Sequence, residues 1–508
     1  MARKMKGAVS LVLILFLVVL AGHETSWGQG KRLKISTSLD AQNMDPAQLN
    51  YSTDRAITQQ ILQGLVSFDY RAKPPFPIVP VLAKSYMVSK DAKTITFELR
   101  RGVQFHGGFG ELTSEDVAFS LLRHLDPKVA SRAKGQLQDI DRVEPVDPYT
   151  VRVHLKNPTA FSFLQVISYQ EASFILSKKA VAQLGEKISH HPIGTGPFMF
   201  DRWNPGEKIV IKKFPQYWGT PEKIDEVEFV VIPEDIISLG VLGKGDLDVV
   251  PITDPAAFER AKGIKGTYIQ TTSASPQLYQ LMINHKMKPM DDVRVRKALA
   301  HALDIKSLCT RLGPIAMPWE SPFEPSVFSG TNEFWKYEYS IDKAKKLLAE
   351  AGFPNGFELK LIYKRQDLFE PIALEAANYW KKIVDVKLEL VEGGVFVQTI
   401  NKYNHHVVHW STSRFSPFQF AERYWSKSSQ PYFQYSNPRV DDLLMKANTA
   451  VTEEEALKLW REFQRMIVDD VVQVGVCIQV PQIAVRNHVR GIVIMTSYLF
   501  MLDYAYME

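Results

Sequence analysis

His405, His406 and His409 crowd three potential metal ligands into five residues of the sequence. On a strand, where successive side chains alternate, His405 and His409 would share one face. A structural zinc site wants four ligands, however, and a catalytic one usually three. No cysteine or acid stands between Tyr403 and Ala421 to complete the set. The cluster reads as part of a partly exposed strand, and no metal is assigned to it. His190-His191 is weaker still, because it leads straight into Pro192.

Other chemistries fail sooner. There is no Gly-x-Ser-x-Gly nucleophile elbow and no phosphate loop ending in Gly-Lys-Ser/Thr. Gly194-Thr195-Gly196 opens like a dinucleotide fingerprint, but Met199 stands where the third glycine belongs, and Pro197 fits a tight turn better. His23-Glu24 lacks the second histidine of a zinc-protease helix. Asp291-Asp292 and Asp469-Asp470 read as helix-end or surface charges. The chain is expected to be no enzyme and to need no cofactor. Cys309 and Cys477 are the only cysteines, and spacing alone cannot pair them. Two buried thiols are expected.

The elements that must position any site alternate between strand and helix signals, which argues for a mixed α/β protein. Ile95, Phe97 and Leu99 share one face of a strand, as do Val151, Val153 and Leu155. Thr113 with Asp116 makes a capping box before a helix carrying Val117, Leu121 and His124. Thr452 with Glu455 makes another, before a helix whose Leu459, Phe463, Met466 and Ile467 form the apolar face. A further helix from Ser340 turns Ala344, Leu347, Leu348 and Ala351 inward and stops at Gly352 and Pro354.

Arg3, Lys4 and Lys6 precede an apolar run of fifteen residues, Ala8 to Gly22. This is the layout of a secretory signal peptide, expected over residues 1–28. The run is shorter than the roughly 20 residues of a membrane-spanning helix. The residue after Leu20-Ala21-Gly22 is His23, so there is no thiol to lipidate, and an exported protein is expected, soluble, or membrane-attached where the signal is not cleaved. The remaining chain is too long for one core and divides into two or three lobes by size. A net charge of +5 without a basic stripe excludes a nucleic-acid partner.

Several segments then follow one another in a fixed order. They include "NMDPA" at 43–47, "QILQGL" at 60–65, "AKSYMVSKDAKTITFELRRGVQFHG" at 83–107 and "TSEDVAFSLLR" at 113–123. "PIGTGPF" at 192–198, "YWG" at 217–219, "DDVRVRKALAHALD" at 291–304, "KAKKLLAEAGFP" at 343–354 and "YSNPRVDDLL" at 435–444 complete the series. In these the chain resembles the extracellular solute-binding protein family 5, the dipeptide, oligopeptide and nickel binders of ABC transporters. Met44 and Gln63 depart from its usual leucine and glutamate.

The resemblance implies a periplasmic-binding-protein-like, two-lobe hinged α/β fold with an extra inserted domain and a ligand cleft between the lobes. The first lobe is expected from residues 29–72, 194–272 and 480–508, the inserted domain from 73–193, and the second lobe from 273–479. Crossings are expected near Ser273–Gln280 and Ile478–Gln482, carrying Pro276 and Pro481. The implied role is a periplasmic substrate-binding component that captures a small-molecule solute as a monomer. Its partners would be ABC transporter permease subunits with their cytoplasmic ATPases.

In peptide-binding members a strand ends in tryptophan, and an aspartate two or three residues later pairs with the peptide amine. Here Trp410 matches that tryptophan, Ser413 takes the aspartate's place, and Arg414 follows. A hydroxyl cannot compensate a desolvated ammonium, so an anionic or neutral polar solute without a free α-amine is expected. Arginine would grip a carboxylate or phosphate bidentately. Phe415 and Phe418 would help to roof the ligand, with Asn50 and Tyr51 on the opposite wall. Peptide or nickel binding, and a receptor not coupled to transport, are the alternatives.

Overall fold

The computed structural model describes residues 30–169, 172–220, 223–272, 277–325, 327–365, 368–413, 416–428, 432–496 and 499–508. The expected signal segment lies outside these. Among the described residues no helix is long and apolar enough to cross a membrane.

Three sheets carry the chain. The first has seven strands in the order Thr267–Thr271, Gln482–Arg486, Val249–Ile252, Arg32–Thr37, Glu226–Val231, Lys208–Lys213 and Phe198–Asn204. Its three central strands, Val249–Ile252, Arg32–Thr37 and Glu226–Val231, run parallel. Being covered on both faces they are rich in Val and Ile, and Leu33, Ile35, Val227, Phe229 and Val249 form their core. The second sheet has six strands in the order Ala316–Pro318, Gln473–Gln479, Gln277–Ile283, Val407–Ser413, Glu358–Tyr363 and Asp385–Leu390. Its last three run parallel. These sheets found the first and second lobes. The third is antiparallel, in the order Ala83–Val88, Thr94–Leu99, Thr150–Leu155 and Ile140–Asp147. Its buried face is the expected one: Ile95, Phe97, Val151 and Val153 are fully buried.

Caps and stops fall where their chemistry requires. Asp116 accepts the Thr113 amide at 3.0 Å and opens the helix Ser114–Arg123. Thr452 accepts the Glu455 amide at the head of Glu453–Asp469. The inward stripe of that helix is Ala456, Trp460, Phe463, Gln464 and Ile467, with Leu459 and Met466 half-buried at its edge. The expected face was therefore rotated by a fraction of a turn. Gly352 takes φ of +93° just beyond Ile341–Glu350, where a side chain would be strained. Gly194 and Gly196 serve packing and hold no phosphate: a Cβ on either would lie 2.0 or 2.6 Å from the carbonyl oxygens of Ile61 or Gln60.

The strand registers fix how the two lobes face one another. Ile252 and Thr271 both pair with Gln482, so the first lobe's crossing ends lie at the carboxyl end of its parallel strands. In the second lobe Gln277 pairs with Ser413 and Leu278 with Ile478, so its crossing ends lie at the carboxyl end too. Because Gln277 and Gln479 already belong to strands, the crossings are shorter than expected. One ends before Gln277, and the other is Val480 and Pro481 alone. Residues 273–276, Pro276 included, lie outside the described residues. The Thr272 amide donates to the Pro481 carbonyl at 3.3 Å and ties the crossings together.

Candidate functional site

Joined in this way, the sheets present the carboxyl ends of their parallel strands to the same interlobe space, where open α/β sheets bind ligands. On the first lobe those ends surround a concavity of about 1060 Å³. Ser38 and Leu39 follow one strand, Pro233 to Ile237 another, and Thr253 and Asp254 the third, with Asn50, Tyr51 and Ser52 beside them.

Asp54 builds this wall and had escaped notice in the sequence. Its side chain is fully buried. One oxygen accepts the Gln42 amide at 2.7 Å and the Asn43 amide at 3.4 Å. The other accepts the Asn50 amide at 3.2 Å and the Tyr51 amide at 3.1 Å. Tyr51 is the N-cap of Ser52–Ile61, so Asp54 sits at the third helical position, where a carboxylate satisfies orphan amides. The pattern resembles a capping box with Tyr in place of Ser or Thr, which hid it. The same device recurs at Asp235, which accepts the Thr253 amide at 3.1 Å and its hydroxyl at 2.6 Å.

The second lobe's wall is made of rings. Trp410 lies in the middle of Val407–Ser413 between Phe396, stacked at 5.8 Å, and Tyr432, at 5.1 Å. Lys364, just past Glu358–Tyr363, rests on Phe396 and on Phe369, at 5.8 and 4.3 Å. The Trp410 indole N–H is buried with no acceptor among the described residues. The Ser413 backbone closes the strand opposite Gln277. The Ser413 side chain, Arg414 and Phe415 lie outside the described residues.

Phe418 stands elsewhere. It lines two cavities of about 430 and 230 Å³ between the second lobe and the helix Ala160–Ile167 of the inserted segment. The Ser162 and Ser416 hydroxyls approach to 3.5 Å at the same contact. The first-lobe concavity includes neither Trp410 nor Phe418, so the expected site residues whose side chains are described, Asn50 and Tyr51, Trp410, and Phe418, fall in three places.

The histidines are buried and neutral. His406 accepts the Lys360 amide through Nδ1 at 3.0 Å and lies 3.0 Å from the Lys288 carbonyl through Nε2. His409 Nδ1 bonds the Phe369 carbonyl at 2.8 Å, and burial pushes its pKa down to about 3. His405 is lowered to about 4 by burial and then by the Lys360 charge. Only His409 lies in the strand Val407–Ser413, His405 and His406 precede it, and the rings of His406 and His409 go to different backbone partners. Among the described residues no group of three His, Cys, Asp or Glu is placed to hold a metal. Cys309 and Cys477 are free, buried thiols.

Comparison with known proteins agrees with this geometry. The model of "Bacterial extracellular solute-binding proteins, family 5 Middle" matches residues 77–432. Glutathione-binding protein GsiB of Pectobacterium atrosepticum is 28% identical over 483 residues, 91% of each chain. The periplasmic binding protein DppA of Helicobacter pylori, solved with the peptide STSA, superposes with a TM-score of 0.80 at 26% identity, covering 94% of this chain and 98% of that one. MoaA of A. tumefaciens R10, solved with mannopinic acid, gives 0.78 at 26% identity, covering 94% and 100%.

Proposed function

Since the chain belongs to the family 5 bacterial extracellular solute-binding proteins, a group that delivers solutes to ABC permeases and their ATPases, we propose that its solute is a small acidic or neutral polar molecule without a free α-amine. The observation that carries this is the strand Val407–Ser413. Trp410 is held between two rings at its middle, and the chain leaves its end as Ser413-Arg414, with no carboxylate before Glu422. An ammonium buried at that point would lack the anion it needs. Lys364, on the same wall, adds a cation that favours an acid.

In this reading Asn50 and Tyr51 meet the solute from the first lobe, and Trp410, Ser413, Arg414 and Phe415 from the second. Phe418 acts through the contact with the inserted helix. The lobes divide at the boundaries expected from the sequence, with 73–193 as the inserted domain. The protein is exported behind a cleaved leader, works as a monomer, and captures without catalysis. The names of relatives divide: those solved with mannopinic acid and agropinic acid bind small acids, whereas the glutathione that another binds is an acid that keeps a free α-amine. The DppA–STSA complex keeps the peptide alternative in the test.

A thermal-shift screen of the purified protein tests the proposal, with organic acids, phosphates, sugars, nickel and free-amine peptides as arms. A ligand at 100 times its Kd adds about 2.7 kcal/mol of stability. Stabilisation by acids or neutral solutes and not by peptides is expected. Stabilisation by free-amine peptides alone would overturn the reading, and stabilisation by nickel alone would restore the metal alternative.

A further inference from the structure

Seventeen large apolar side chains are exposed among the described residues, and seven of them either line the first-lobe concavity or stand at and beyond the carboxyl end of the second-lobe strand Asp385–Leu390. On the first lobe these are Leu39, Tyr51, Ile236 and Ile237, and all four line the concavity of about 1060 Å³. Ile236 and Ile237 are 48% and 53% exposed. On the second lobe they are Leu390, which ends Asp385–Leu390, and Val395 and Val397, which flank the ring that stacks on Trp410. Scattered apolar residues on a surface need no explanation, but a cluster in each lobe does.

Neither wall hides its apolar groups within its own lobe. Ile236 and Ile237 open the helix Asp235–Lys244, whose buried face is Ser238, Leu239 and Leu242, so their exposure follows from the helix's own register. Val395 and Val397 point away from the core that takes Phe396 and Ile400. Some polar groups of the first-lobe wall are occupied locally: Asp235 holds Thr253, and Asp254 caps the next helix through the Ala257 amide. Ser38, Asn50, Ser52 and Glu234 line the same concavity, so the apolar patch of Leu39, Tyr51, Ile236 and Ile237 lies beside polar groups.

We infer that the solute has an apolar body, gripped between Leu39, Tyr51, Ile236 and Ile237 on one side and Leu390, Val395 and Val397 on the other. Resting on the anionic head group proposed above, this makes the ligand an amphipathic acid, such as an N-acylated amino acid, with its carboxylate toward the second lobe's cations.

The test is a chain-length series. Affinities of N-acetyl-, N-butyryl-, N-hexanoyl- and N-octanoylglycine are measured by calorimetry, beside the free-amine series Gly-Gly, Gly-Val and Gly-Leu. Each buried methylene should tighten binding by up to about 4-fold until the groove is filled. Ile236→Ser, Ile237→Ser and Val395→Ser should flatten that slope. These residues are exposed, so the variants should fold, and Met87→Ser, on an exposed site of the inserted sheet, should leave the slope unchanged. A slope in the free-amine series alone would refute the head group without an amine proposed above and keep the apolar body. Equal affinity along both series, or no binding in either, would overturn the apolar body. A slope that ignores Ile236→Ser and Val395→Ser would place the apolar body elsewhere and overturn it too.

Discussion

In the first lobe the loops beyond the parallel strands are held by a buried carboxylate, Asp54, and a half-buried one, Asp235, which collect backbone amides and a hydroxyl. In the second lobe the wall is held by stacking, with Trp410 of Val407–Ser413 between Phe396 and Tyr432 and Lys364 laid across the outer ring. The amide–carboxylate bonds are directional and fix a loop's path. The stacked rings fix a surface and tolerate sliding. The first wall should therefore fail abruptly when one atom is removed, and the second by degrees.

Asp54→Ala is the sharpest way to break this contrast. Four amides lose their acceptor, and hydrogen bonds to a buried charge are worth about 1.5–3 kcal/mol each. Allowing for water reaching the outer amides, we expect a loss of about 4 kcal/mol by chemical denaturation and at least a tenfold loss of solute affinity. Asp54→Asn, which keeps one acceptor, should lose about half as much. An unchanged denaturation midpoint for Asp54→Ala would mean that packing, not the carboxylate, holds the 42–51 loop.

Acid should act on the other lobe. His285 and His409 are lowered to about 3 and His405 to about 4, chiefly by burial, against an ordinary value of 6.5. Below pH 6.5 the unfolded chain takes up protons that the folded lobe refuses. The stability is therefore fully present above 6.5 and drains away as pH falls toward 4. Between pH 6.5 and 5.5 the three together should remove about 3 kcal/mol. His106, lowered to about 4, contributes the same way at the junction of the inserted sheet, where it bonds Gly196. Hydrogen exchange from pH 7 to 5 should show the Val407–Ser413 strand opening before Arg32–Thr37. The reverse order would contradict the assignment.

These buried histidines show where sequence reading runs out. The strand expected over the histidines begins only at Val407, so of the three only His409 belongs to it, and the sequence says nothing of what the rings meet, because Lys360, Phe369 and Lys288 arrive from distant parts of the chain. The expected partial exposure was wrong for the same reason: all three rings are buried under segments that only the fold brings together. Local features were legible. The strand faces at 94–99 and 150–155, the Thr113 and Thr452 caps and the Gly352 stop each depend on neighbours a few residues away. The cleft wall is the opposite case, since residues 39, 51, 236 and 254 meet only through strand order. Ser413 could be singled out because a family resemblance supplied the long-range information that periodicity lacks.

Trp410→Ala should cost about 2–3 kcal/mol, less than a fully buried tryptophan because the ring is only partly covered. Trp410→Phe should keep the stack and lose under about 1.5 kcal/mol. A gradual loss of solute affinity from Phe to Leu to Ala would fit a wall built by stacking. A loss as abrupt as that of Asp54→Ala would show that the buried indole N–H, not the ring face, does the positioning.

The smallest effect is expected at Phe418, and it bears on how the inserted segment joins the comparison. Its ring separates two cavities between Ala160–Ile167 and the second lobe, away from the wall that carries Trp410. Phe418→Ala merges those cavities without touching the strand ends. Its cost should be about 1–2 kcal/mol, at the low end for a lost aromatic side chain because the cavities already exist. If the inserted helix only braces the second lobe, solute affinity should shift by about 2-fold or less, and in the dissociation rate rather than the association rate. A tenfold loss would make the inserted segment a third wall of the cleft, and the comparison between two lobes would have to become one among three.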